Sequence, residues 1–191
     1  MVTHRGDVFR LERERLVIMI EVAVIAGLAT LLSLVKINAF WPNGGSISLE
    51  MIPLFIIAFR RGWKVGVLTG LITGLVDLLI SPYVVHPIQL LLDYPVPFLL
   101  LGFAALFVKK GQVPKVTTLI IGVIFATLLR FLSHFASGVI WFSEFTPDGW
   151  NDLAYSAFYN ASYLVPQMLI TLAVLIVFVK SYPQFFNVKK I

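Results

Sequence analysis

The sequence predicts an all-α integral membrane protein, a compact bundle of six transmembrane helices with both termini on the cytoplasmic side. Composition, the length of the apolar runs and the placement of positive charge carry that expectation. Of 191 residues, 59% are apolar and only 13% are charged, whereas soluble domains run at about 45–50% and about 25%. Mean hydropathy is +0.91. The chain reads as a single membrane domain over 1–191, with a cytoplasmic juxtamembrane helix at 1–15, the six-helix bundle at 16–180 and a cytoplasmic tail at 181–191.

The six apolar segments run roughly Leu16–Val35, Leu49–Phe59, Val65–Ile80, Pro87–Val108, Val116–Ile140 and Leu153–Val179. Segment 2 is short for the ~20 residues a helical span needs. It either draws on the preceding "GGSIS" or forms a broken or tilted element. Thirteen of the fifteen Lys and Arg residues lie at the two termini or in the 2–3 and 4–5 connections. They include Arg60, Arg61, Lys64, Lys109, Lys110, Lys115, Lys180, Lys189 and Lys190. The other three connections hold Lys36 with Glu144, Asp148 and Asp152. The positive-inside rule makes the basic side cytoplasmic. A net charge of +5 placed in this way argues for membrane topology and against nucleic-acid binding.

Ahead of segment 1, "DVFRLERERL" suits a short amphipathic helix with Asp7 as its N-cap. Segment 1 is too long for a signal-peptide apolar core and lacks a clear A-x-A site after it. Its Ala23 and Gly27 are four apart, as are Gly66, Gly70 and Gly74 on segment 3. Such stripes let helices approach closely in lipid, either within one chain or against a partner.

Charged or titratable groups inside hydrocarbon cost several kcal/mol by most estimates, on the order of 3 or more. At 1.5 Å per residue, Asp77 on segment 3 lies about 18 Å from the cytoplasmic end and Arg130 on segment 5 about 20 Å. Equal depth and opposite sign suggest a structural ion pair between them. Arg130, His134, Gly138 and Trp141 share one helix face. Trp141 also fits the aromatic belt of the membrane interface. Asp93 on segment 4 lies about 9 Å below the outer end, level with His134. Tyr94 follows it, and Pro95 and Pro97 break the backbone ladder just there. On segment 6, Ser156, Asn160, Tyr163 and Gln167 form a polar stripe flanked by Tyr155 and Tyr159. One outer layer thus gathers a carboxylate, an imidazole, an amide and aromatic rings. That set suits a small flat cation.

No cysteine occurs, so disulfides and thiolate metal sites are excluded. No phosphate loop, H-E-x-x-H or G-x-S-x-G is present, and the three histidines are scattered. The expectation is a binding protein with no catalytic residues, no cofactor and no metal, powered from elsewhere.

The order and spacing of "GGSISLEMIPLFIIAFRRG", "HPIQLLLDY", "RFLSHFASGVIWF" and "AYSAFYNASYLVP" resemble the thiamine-specific substrate-binding subunits (S components) of energy-coupling-factor vitamin transporters. The resemblance covers essentially the whole chain. It implies thiamine capture from outside a Gram-positive cell membrane, followed by association with a transmembrane coupling protein and two ATPase subunits. By the resemblance, Asp93 and Tyr94 form an "(E/D)Y" motif whose acid bonds the aminopyrimidine. His134 and Gly138 match an "HxxxG", with the imidazole packed on the ligand. Tyr155 and Asn160 match a "YxxxxN" at the aminopyrimidine, Tyr83 a loop tyrosine and Trp41 a loop 1 tryptophan. Ala23 and Gly27 fall at the contact to the coupling protein, normally two alanines. Asp in place of Glu, and Pro95 after the motif, depart from the pattern. Trp141 and Phe142 compete for one aromatic position. The other readings are a precursor or different vitamin as ligand, an intramembrane enzyme using Asp93 and His134, and a scaffold. The enzyme lacks a nucleophile, and the scaffold leaves the polar layer unexplained.

Overall fold

The structure is a computed structural model that describes residues 3–38, 40–41, 44–109 and 111–188, with the side chains of 3–8 and 10 left aside. Lys110, Lys189 and Lys190, used above for topology, lie outside the described residues, as do the side chains of His4 and Asp7. The elements are α1 (Thr3–Leu34), β1 (Lys36–Ile37), β2 (Ile47–Ser48), α2 (Met51–Arg61), α3 (Trp63–Ile80), α4 (Pro87–Asp93), α5 (Pro95–Leu101), α6 (Val116–Trp141) and α7 (Asp152–Ser181). Short 3₁₀ turns follow α5 at Gly102–Phe107, α6 at Ser143–Phe145 and α7 at Pro183–Phe185.

Two boundaries differ from expectation. No separate juxtamembrane helix forms, because nothing in "RLERERLVIM" breaks the ladder. α1 runs unbroken for 32 residues, and Asp7 stands inside it rather than at its N-cap. Segment 4 breaks in two at Tyr94 (φ −116, ψ −83), with Pro95 opening the second half. That is where the two prolines remove backbone donors. The Leu92 carbonyl at the break accepts the Ser133 hydroxyl of α6 at 2.6 Å, so a neighbouring helix satisfies that backbone group.

Among the described residues, five helical stretches are long and apolar enough to cross a membrane: Leu11–Leu34, Trp63–Ile80, Pro87–Phe107, Val116–Trp141 and Asp152–Ser181. α2 is the exception. Its 11 residues reach only about 16 Å. Ahead of α2 runs the antiparallel β1–β2 hairpin, in which Lys36 pairs with Ser48 and Ile37 with Ile47. The "GGSIS" stretch therefore extends segment 2 as non-helical chain.

α2 lies at the centre of the bundle. Met51, Leu54, Phe55, Ile57 and Phe59 are each no more than 1% exposed. Around them pack Phe98 and Leu101, Leu119 and Val123 of α6, Leu175 of α7 and Phe186. In lipid such burial gains little transfer energy, so close packing and hydrogen bonds hold the helices together. The segment 3 glycines show this directly. A Cβ at Gly70 would strike the Phe98 backbone, and one at Gly74 would lie 2.6 Å from the Tyr94 carbonyl oxygen. That stripe is internal packing, with Gly66 against Ala58 of α2 and against Gly102, and Gly70 and Gly74 against the backbone of segment 4. Ala23 and Gly27 are the opposite case. Both are exposed on α1, and a Cβ at Gly27 would meet nothing within 4 Å.

At the basic end, Glu21 inside the first span is closed off by two arginines. Arg61 donates to it at 2.5 and 2.7 Å and Arg60 at 3.0 Å. Arg60 also donates to the Phe185 carbonyl and sits 4.4 Å over the Phe185 ring.

Candidate ligand pocket

At the other end, α3, α4, α6, α7 and the hairpin enclose a cavity of about 200 Å³. Asp93, the last residue of α4, enters it just before the backbone break. Its Oδ2 accepts Gln89 Nε2 at 2.7 Å and the Ser137 hydroxyl at 2.8 Å. Its Oδ1 lies 3.2 Å from His134 Nδ1. The carboxylate is thereby fixed in one orientation. His134 Nε2 is buried and has no hydrogen-bond partner among the described residues. The imidazole, on the cavity lining, is held at one nitrogen and unsatisfied at the other, an exception to the rule that buried polar groups are paired.

Gly138 sits one turn beyond His134. A Cβ there would collide with Ser156 Oγ and come within 3.4 Å of Asn160 Nδ2, so the glycine lets α7 close on α6. Ser156 donates to the Phe135 carbonyl of α6 at 3.0 Å. Asn160 donates to the Ser156 carbonyl at 2.9 Å and accepts the Tyr163 hydroxyl at 2.6 Å. The polar stripe of α7 is buried throughout, Ser156, Asn160, Tyr163 and Gln167 being 6% exposed or less. Its upper members line the cavity. Gln167, deeper, ties α7 to the hairpin by donating to Ser48 at 3.1 and 3.2 Å.

Aromatic rings form the mouth. Tyr83 and Phe142 line the cavity and stack with centroids 5.8 Å apart. Trp141 turns away and stacks on His86 at 5.3 Å. Between the two rings that competed for one position, Phe142 is the one in the pocket. Tyr155 and Tyr159 are also on the wall. Trp41 is not. Its indole donates to Ser162 at 2.7 Å and it packs edge-on against Tyr163, standing behind the wall. Tyr94 lines the cavity, but its hydroxyl is engaged, accepting the Tyr83 N–H at 2.7 Å and donating to the Ser81 carbonyl at 3.0 Å.

The expected ion pair between Asp77 and Arg130 is not formed. Arg130 pairs instead with Glu50 at 2.7 Å, both side chains below 10% exposed, and its guanidinium lies 4.7 Å over the Phe98 ring. The hairpin carries Glu50 inward at the start of α2, and depth counted along helices alone missed it. Arg130 Nε and Nη1 have no partner among the described residues. Asp77 remains on the cavity wall. With Asp93, Glu50 and Asp77 against Arg130 and Lys36, the lining carries a formal excess of one negative charge. No cluster of three or more metal-ligating side chains forms among the described residues.

Sequence reasoning missed Gln89, Ser137 and Glu50. Gln89 stands four residues before Asp93 and Ser137 three after His134, so helical spacing would have found both. For Glu50 the available signal was a lone carboxylate opening an apolar run, which in a membrane core demands a cation.

This chain matches the family model described as "Thiamine transporter protein (Thia_YuaJ)" over residues 19–187. It is 38% identical over 183 residues to the "Thiamine transporter ThiT" of Bacillus subtilis (strain 168), covering 91% of this chain and 95% of that protein. A "Thiamine transporter ThiT" from Lacticaseibacillus paracasei is 27% identical over 190 residues, 93% of this chain and 94% of that one. Among solved structures, ThiT from Listeria monocytogenes superposes with a TM-score of 0.80 at 26% identity, covering 91% of this chain and 98% of that chain. The S component of a bacterial ECF transporter gives a TM-score of 0.64 at 16% identity, over 91% of this chain and 99% of that one. At that identity the second likeness concerns fold alone. A family model that takes in nearly the whole sequence, together with a relative 38% identical across 91% of it, establishes that this multi-pass membrane protein belongs to the thiamine transporter protein family.

Proposed function

We propose that this protein is the thiamine-binding S component of an energy-coupling-factor importer in the cell membrane of a Gram-positive bacterium. The observation that carries the reading is the half-satisfied polar set at Asp93 and His134, facing a cavity with surplus negative charge and an aromatic mouth. Thiamine is a small planar cation. Its aminopyrimidine offers donors to Asp93 Oδ1 and the Asn160 region. Its thiazolium ring suits the π faces of Phe142 and His134. No covalent chemistry is required, and no cofactor enters the binding step.

Delivery needs energy that this chain has no phosphate loop to harvest. A transmembrane coupling protein and two ATPase subunits would supply it. The open face of α1 around Ala23 and Gly27 supports such a partner, since none of the described residues lies within 4 Å of a Cβ built at Gly27. The family is one of transporters rather than enzymes, which removes the acid–base reading of Asp93 and His134.

The deciding experiment is calorimetric titration of the purified protein with thiamine in the absence of ATP. Saturable one-to-one binding is expected, with thiamine preferred over its separate pyrimidine and thiazole fragments. If the pyrimidine fragment alone bound as tightly as thiamine, the ligand would be a precursor instead.

A further inference from the structure

We propose that Gln89 is a positioning residue that fastens the 81–86 loop, and with it Tyr83, to the carboxylate of Asp93. Ligand capture and coverage of the pocket mouth are thereby coupled. The inference rests on reading this cavity as the thiamine site.

Gln89 is 1% exposed, and its amide is saturated on both sides. Nε2 donates to Asp93 Oδ2 at 2.7 Å and to the Tyr83 carbonyl at 3.1 Å. Oε1 accepts the Val85 N–H at 3.1 Å and the His86 N–H at 3.5 Å. Two donors and two acceptor sites are all a glutamine has. Three of its four partners are loop backbone, and the fourth is the proposed ligand carboxylate. Two other contacts also hold the loop: the Tyr94 hydroxyl, on the Tyr83 N–H and the Ser81 carbonyl, and His86 stacked on Trp141. Among the described residues, Gln89 is the side chain that hydrogen-bonds both the loop backbone and the Asp93 carboxylate.

Two consequences follow from the geometry. Gln89 and Ser137 occupy Oδ2, leaving Oδ1, met by His134, with capacity for a ligand donor. Tyr83, held from the same amide, stacks on Phe142 at the mouth. A ligand donor on Asp93 Oδ1 adds a further tether to a carboxylate already tied through Gln89 to the loop above.

The test uses the full chain with Gln89→Met, which keeps side-chain length but removes every polar contact. Without ligand, hydrogen exchange at the Val85 amide is expected to quicken about tenfold, the loss of roughly one hydrogen bond. Exchange in α2 should stay unchanged, reporting an intact core. With thiamine, the dissociation rate is expected to rise about tenfold in the otherwise native chain. In a Tyr83→Ala background the same change should alter it less than about twofold, because the effect travels through Tyr83. Unchanged protection at Val85, or fully additive effects on dissociation, would overturn the proposal. If Gln89→Met does not fold, Gln89→Glu takes its place. It keeps the acceptor, loses the donors to Asp93 and Tyr83, and should show the same non-additivity. A native chain that binds no thiamine would sink the functional reading and the coupling together. The exchange result would then decide by itself whether Gln89 holds the loop.

Discussion

The two ends of the bundle handle charge in opposite ways. At the basic end Glu21 takes three hydrogen bonds from Arg60 and Arg61, and Arg60 is covered further by Phe185. That network is closed. At the other end Asp93 is held by three groups, yet His134 Nε2 and two nitrogens of Arg130 are buried without partners, and the lining keeps a surplus negative charge. That network is open. Both ends bear the desolvation cost of ions in a bilayer, but only the open one has capacity left for something that is not protein. An ionisable group in a membrane segment therefore marks a site when its hydrogen-bonding inventory is incomplete, and architecture when it is complete.

Several substitutions would break or sharpen that contrast. The largest effect is expected at Asp93→Asn, where a charge-assisted partner for a cationic ligand is lost. Thiamine affinity should fall on the order of a hundredfold by calorimetry, in line with truncation of a buried charged contact. Affinity within twofold of native would remove Asp93 from the site. Glu21→Gln is the matching change in the closed network. It should lower stability by about 1–3 kcal/mol, the scale of hydrogen bonds to charged groups, seen as a lower Tm. Thiamine affinity should stay the same, and a large change in it would mean the two ends are coupled.

A smaller effect separates adjacent aromatic residues. Phe142→Ala should weaken binding about tenfold through loss of ring contact. Trp141→Ala, against His86 and outside the lining, should change it by less than about threefold. The reverse order would exchange their roles. Smallest of all is Gly27→Leu, where the added side chain meets open space. Thiamine binding should be unaffected, while ATP-driven uptake by the assembled complex should fall. Unimpaired uptake would move the partner surface elsewhere.

Most of the fold was legible because lipid imposes simple rules. Long apolar runs and segregated lysines and arginines gave the spans and their direction, and the proline pair after Tyr94 marked the break in segment 4. The candidate site was legible where its residues lie on regular helices at countable depth: Asp93, His134, Gly138, Tyr155 and Asn160 all line one cavity. It was not legible where the chain leaves the helix. Glu50 reaches Arg130 through a hairpin whose path has no 1.5 Å ruler, and Asp77 was paired in its stead. Trp41, in the same non-helical stretch, was placed in the wall but stands behind it. The choice between Trp141 and Phe142 fell at the end of α6, where one residue of rotation decides which ring points inward.

Biogenesis inherits a difficulty from the enclosed α2. A bilayer cannot retain an 11-residue rod carrying Arg60 and Arg61, so while the chain is emerging this stretch has no stable transverse state of its own. Its passage must wait for the later helices that supply Phe98, Leu119 and Leu175 as walls.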